Sequence, residues 1–143
     1  MAALGSATHA HFACHALTDP DDPGGSCLML ADGRLNVRDL ASVLASDGYL
    51  AYLSACGTAS GGHRLLDEAV HVASALHAAG FAHVIGTLWP VDDGVADQLA
   101  RAFYRLLTAG QEPAAALHAA VRGLRDAQPD NPALWAAHVH VGP

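Results

Sequence analysis

The sequence predicts an α/β fold, a three-layer sandwich built on a mostly parallel sheet. Three observations lead there. Residues 49–55 (Tyr-Leu-Ala-Tyr-Leu-Ser-Ala) and 81–88 are nearly continuous apolar runs, the composition of strands covered on both faces. Between and after them run apolar stripes at helical spacing. Strands and helices alternate along the chain, the pattern that produces parallel sheets.

The elements follow in order. Residues 9–13 are short and partly apolar, closed by Cys14-His15-Ala16, and read as a strand ending at a loop. Residues 17–25 hold Asp19, Pro20, Asp21, Asp22, Pro23 and two glycines, a density of turn formers that marks an exposed loop. Residues 27–31 and Arg34-Leu35 flank Asp32-Gly33 and predict a tight hairpin with positive φ at both turn residues. Asn36 caps a helix from Val37, with Asp39 in its first turn and Val37, Leu40, Ala41 and Leu44 on one face. After the apolar run 49–55 comes a loop, 58–62. Leu66, Ala69, Val70, Ala73 and Leu76 then form a stripe ended by Gly80.

The run 81–88 is a buried strand, broken by Pro90. Asp92 or Asp93 caps a helix with Val95, Leu99, Phe103 and Leu106 inward, ended by Gly110. Pro113 opens another, with Leu117, Val121 and Leu124 inward. Pro129 and Pro132 precede a last strand over residues 134–141.

Composition narrows the function. The 143 residues are enough for one domain with a real core. At 52% hydrophobic and 15% charged residues, the chain is no disordered tail. Its net charge of −7 and its seven arginines, with no lysine, argue against nucleic acid as a partner. Three cysteines give no disulfide framework and point to a reducing, cytoplasmic location. The N-terminus lacks a basic segment followed by an apolar one, so no signal peptide is expected. Residues 69–91 carry no Asp, Glu, Lys or Arg. They are as long as a membrane span of roughly 20 residues, yet they contain His71, His77, His83, Gly80 and Pro90 and change period midway, so helix, turn and strand are expected instead.

Ligands of parallel sheets bind at the carboxyl ends of the strands. Two such ends carry His15 and Cys56, 41 residues apart. A thiol and an imidazole on adjacent strand ends are the parts of a nucleophilic dyad: the imidazole takes or shares the thiol proton and later protonates a leaving amine. The backbone amides of Cys56 and Ala16 are the candidate oxyanion donors. Cys14 is expected to point away from His15, and Cys27 to be packed in the hairpin. No cofactor is needed.

Phe12-Ala-Cys-His15 followed by Leu53-Ser-Ala-Cys56-Gly-Thr58 resembles the His and Cys motifs of caspase-like peptidases. A closer resemblance than that to caspases is to the CHAT domain, a prokaryotic caspase-like domain often attached to TPR repeats; separases are more distant. It extends to Leu30-Ala-Asp-Gly33, Leu88-Trp-Pro-Val-Asp-Asp93, Phe103-Tyr104 and Trp135-Ala-Ala137, and so covers nearly the whole chain. The resemblance implies a caspase-like fold, Cys56 as nucleophile, His15 as its partner, a protein substrate and no metal. It also implies a groove wall at Trp89, Asp92 and Asp93, where a carboxylate would bind a basic side chain. Two departures stand out. Family members usually carry Gly where this chain has Ala16. The family also has two strands and two helices before the His strand, so this chain reads as a caspase-like domain lacking its N-terminal strands, with its first strand at an exposed edge.

Two rival expectations belong to other classes. One is an inactive module whose edge strand pairs with TPR repeats, with the absent half of the domain, or with a second copy. The other is a metal module using His9, His11, His138, His140, Cys14 and His15, for which no tight ligand motif is present. Asp19, Asp21 and Asp22 lack the spacing of a calcium loop.

Overall fold

The computed structural model describes residues 2–17, 19, 22–40, 42, 43, 45, 47–54, 56, 57 and 65–143, without the side chains of residues 2, 3, 23, 56, 57 and 65–71. The expected loop 58–62, Pro20 and Asp21 of the acidic loop, and Ala41 and Leu44 of the first helical stripe lie outside the described residues, as do the side chains of Leu66, Ala69, Val70 and His71. In chain order the elements are α1 (Ala2–Gly5), β1 (His9–Phe12), β2 (His15–Leu17), a 3-10 turn (Pro23–Gly25), β3 (Cys27–Leu30), β4 (Gly33–Asn36), α2 (Val37–Leu40), β5 (Leu50–Leu53), β6 (Cys56–Gly57), α3 (Leu65–Ala78), β7 (His83–Thr87), α4 (Asp93–Thr108), α5 (Pro113–Ala127), α6 (Pro132–Trp135) and β8 (His138–Val141).

The apolar runs become the centre of a four-stranded sheet in the order β1-β5-β7-β8. β1, β5 and β7 are parallel, and β8 returns antiparallel to β7. Alternation along the strands splits the core in two. Ala51, Leu53 and Val84 face one cluster, with Phe12, Leu28, Leu35, Val72, Ala73 and Leu76. Leu50, Tyr52 and Ile85 face the other, with Leu99 and Phe103 of α4 and Ala116, Leu117, Ala120 and Leu124 of α5. Every residue of β5 is buried, which is why its sequence reads as an unbroken apolar run rather than an alternating one. Helices therefore cover both faces of a mostly parallel sheet.

A second sheet has the order β4-β3-β2-β6. β3 and β4 form the expected hairpin, with Leu30 opposite Gly33. The turn sits one residue earlier than expected. Ala31 and Asp32 are its tip, and only Gly33 takes a positive φ, at 152°. Asn36 ends β4 and also caps α2: Asp39 Oδ2 accepts from the Asn36 backbone N–H and from its Nδ2, so the third helical residue reaches back to the cap.

The two sheets share two chains of strands. β1 pairs with β5 at an offset of 41 residues, His9 with Leu50 through Phe12 with Leu53. After the breaks at Ala13-Cys14 and at Ser54, β2 pairs in parallel with β6 at the same offset, His15 with Cys56 and Ala16 with Gly57. The register passes from one sheet to the other without a slip. His15 thus opens a second strand rather than closing the first, a correction to the sequence reading: the chain re-pairs with β3 and β6 instead of entering a loop.

β1 is an edge of its sheet, as expected. Leu50 N–H donates to Thr8 O and Ser54 N–H to Phe12 O. In a parallel pair the bonded residues alternate, so Thr8, Ala10 and Phe12 face β5, and the main-chain groups of His9 and His11 face outward, where no described strand pairs with them.

α3 ends as its Gly80 predicts. Gly80 N–H donates to His77 O and Phe81 N–H to Leu76 O, the double bond of a Schellman end. Gly80 has φ +112°, and a Cβ there would lie 2.4 Å from Ala45 O. Gly80→Ala is therefore expected to cost about 1–3 kcal/mol from the backbone strain alone, read as a lower urea midpoint with an unchanged slope. α4 is capped by Asp92, whose Oδ1 accepts from Gly94 N–H and Val95 N–H. Pro113 opens α5 at its first turn. The last strand is shorter than expected: residues 132–135 coil into α6, and only residues 138–141 pair with β7.

Candidate active site

Parallel strands aim their carboxyl ends one way, and β1 and β5 end together at Phe12 and Leu53. Just past them opens a cleft of about 450 Å³. His11, Ala13, Cys14 and His15 line it from the first chain of strands and Ser54 from the second. The opposite wall is one face of α4: Asp93, Ala96, Asp97 and Ala100. These residues recur three and four apart, the spacing of a single helix face.

His15 and Cys56 are register partners on neighbouring parallel strands, which sets their backbones about 5 Å apart. The sequence spacing of 41 is the strand register itself, carried through from β1 and β5. Ala16 sits one step on, beside Gly57. The Cys56 side chain lies outside the described residues.

Cys14 packs against the core cluster that holds Phe12 and Leu53. It lies in the break between β1 and β2, where strand alternation no longer holds, and it lines the same cleft. Burial pushes its thiol pKa up, so less of it is thiolate near neutral pH. Cys14 is expected to react slowly with iodoacetamide at pH 7, with a rate that climbs into the alkaline range as the thiolate forms, as peptide mapping by mass spectrometry would show. Cys27 is buried in the hairpin, as expected.

The segment expected to form a groove wall divides. Asp93 lines the cleft. Asp92 is occupied in capping α4. Trp89 is half-buried and donates its indole N–H to Ala133 O at 2.8 Å, tying the end of β7 to α6. Neither Trp89 nor Asp92 is among the residues that line the cleft. Asp97 was not foreseen, although its position four residues after Asp93 was the available signal. Its Oδ2 accepts from Arg101 Nε at 2.7 Å on the exposed face of α4.

His11 was also not foreseen at the cleft. Its Nδ1 lies 3.0 Å from the Tyr104 hydroxyl, and its ring stacks on Tyr52 and Tyr104 with centroids 4.9 and 5.6 Å away. Burial lowers its pKa and pushes that of Tyr104 up to about 12, so both are neutral at physiological pH.

The histidines weighed as metal ligands do not gather. β1 and β8 are opposite edges of the sheet, which separates His9 and His11 from His138 and His140. His140 Nε2 instead lies 3.0 Å from His83 Nδ1 on β7. Desolvation pushes the His138 pKa down to about 4. Among the described residues no group of three or more His, Cys, Asp or Glu side chains is placed to hold a metal ion, and no helix is long and apolar enough to cross a membrane.

No curated protein matches the chain. The family model of the CHAT domain matches residues 1–143, the full length in which the His15 and Cys56 motifs, the 30–33 turn and the 88–93 segment stand in order, and the chain therefore belongs to the CHAT domain family.

Proposed function

We propose that this chain is a caspase-like cysteine endopeptidase that hydrolyses peptide bonds through a Cys56–His15 dyad. The observation that carries this reading is the register that makes Cys56 the strand partner of His15, a residue that lines the cleft. Membership of the CHAT family, whose fold and chemistry are caspase-like, supports it.

In this mechanism the Cys56 thiolate attacks the scissile carbonyl carbon. The carbonyl oxygen becomes an oxyanion, held by the backbone N–H groups of Ala16 and Cys56. The His15 imidazolium gives its proton to the departing amine, leaving a thioester on Cys56. Water then attacks the thioester with His15 as base, and the acid product leaves. Every proton is moved by a side chain of this chain, so no cofactor takes part. The carboxylate of Asp93 on the cleft wall suits a protein substrate that presents a basic side chain next to the cut, whereas that of Asp97 already pairs with Arg101.

The test is cleavage of a tripeptidyl coumarin amide series ending in Arg, Lys, Asp or Leu. Cleavage that disappears on Cys56→Ala and favours Arg or Lys supports the reading; cleavage that survives Cys56→Ala refutes the dyad.

The outward-facing main chain of His9 and His11 favours a second reading, an inactive interaction module whose β1 edge accepts a strand from TPR repeats, another part of the protein or a second copy. Alkylation separates the two. Slow iodoacetamide reaction at Cys14, Cys27 and Cys56 alike supports the module, and fast reaction at Cys56 alone supports the peptidase.

A further inference from the structure

We propose that His11 is a substrate-binding residue of the cleft, with Tyr104 holding its ring so that Nε2–H donates to a backbone carbonyl oxygen of the bound peptide. The inference rests on the peptidase reading of the same cleft and adds a residue to it.

The geometry comes from both sides of the ring. Nδ1 is engaged by the Tyr104 hydroxyl at 3.0 Å, across 93 residues of sequence. A phenol is the stronger donor of the two and an imidazole nitrogen the stronger acceptor, so Tyr104 donates and the His11 proton resides on Nε2. Nε2 has no partner among the described residues, and the side chain lines the cleft with His15 and Ser54. The ring cannot swing freely. It is stacked on Tyr52, interplanar angle 26°, and on Tyr104, interplanar angle 25°, and Tyr52 is itself 1% exposed. A neutral donor on a rigid mount, carried by a residue that lines the cleft, recognises an uncharged acceptor, and an extended peptide offers one at every residue.

His11 is distinct from the dyad. The register partner of His11 is Tyr52, whereas that of Cys56 is His15. Its role is to hold the peptide, so its loss weakens binding and spares the chemistry.

The test compares two probes on the full chain: a tripeptidyl arginine chloromethyl ketone, which must bind before it alkylates Cys56, and iodoacetamide, which reports the thiolate alone. His11→Phe keeps the ring stack and removes the donor. It is expected to raise KI for the peptidyl probe roughly 3–10-fold, the effect of one hydrogen bond, with the maximal alkylation rate and the iodoacetamide rate unchanged. His11→Gln, which restores an N–H donor, is expected to recover most of the loss. Tyr104→Phe, further from the peptide, is expected to raise KI by a smaller factor. An unchanged KI in His11→Phe overturns the inference alone. An iodoacetamide rate that falls with KI overturns it too, because it places His11 in the dyad or in the framework. Absence of selective Cys56 labelling in the unsubstituted chain overturns the peptidase reading, and this inference with it.

Discussion

Replacing Cys56 with Ala is expected to lower the cleavage rate of an arginyl coumarin amide on the order of 10⁶-fold, the size of effect that follows loss of a nucleophile acting with its base as a unit. Replacing His15 with Ala is expected to cost about 10²–10⁴-fold, since a thiol retains some intrinsic nucleophilicity without its general base. Residues that act as a unit are not additive, so the double variant should be no slower than Cys56→Ala. Additive losses would mean that the two residues work separately and would break the assignment. Cys14→Ala is the control. Cys14 lines the same cleft, but burial holds its thiol protonated, so its removal should leave the rate within about 2-fold. The expectation for Cys56 depends on register alone: the 41-residue offset of β1 on β5 recurs between β2 and β6, and one slipped residue would set Cys56 opposite Cys14 or Ala16 instead.

The parts of the fold that the sequence made legible are those set by local chemistry. Gly80 closes α3 because only a residue without Cβ fits beside Ala45 O. Asp92 precedes α4 because the free N–H groups of a first turn need an acceptor. The apolar run 50–53 is a central strand because it is covered from both sides. The His15–Cys56 pair was read from family motifs and from taking their strands as neighbours; the shared 41-residue offset is what the structure adds. What stayed hidden depends on distant partners. Nothing near His15 announces that the strand breaks at Ala13-Cys14 and re-pairs with β3, because that pairing is decided by residues 27–29. Nothing near His11 announces Tyr104, 93 residues away. The hairpin was displaced by one residue because Asp-Gly signals a turn but not which pair of strand residues closes it. Trp89 was assigned to the groove wall by the resemblance of the 88–93 segment alone; its indole N–H has a structural use that only α6 reveals.

The largest effect on stability is expected at Phe103, the residue through which α4 is fixed to the sheet. Its side chain is fully buried, with its ring 5.3 Å from that of Tyr52 at an interplanar angle of 47° and 5.2 Å from that of Tyr104 at 70°. Phe103→Ala removes both contacts and leaves a cavity between α4 and β5, at a cost of about 3–5 kcal/mol. That is a large share of the roughly 5–15 kcal/mol that a domain has in total, and it should lower the midpoint of thermal unfolding by roughly 10–20 °C. Phe103→Leu keeps most of the apolar volume and should cost clearly less. The consequence extends to the cleft. Phe103 packs against the two tyrosines that mount His11, and α4 carries Asp93 and Asp97. At temperatures where the Ala variant is still folded, its KI for the peptidyl chloromethyl ketone should therefore rise, while the hairpin β3–β4, packed in the opposite core, keeps its hydrogen-exchange protection relative to the global stability. A change in stability under about 1 kcal/mol would mean that Phe103 is not the contact that holds α4 to the sheet.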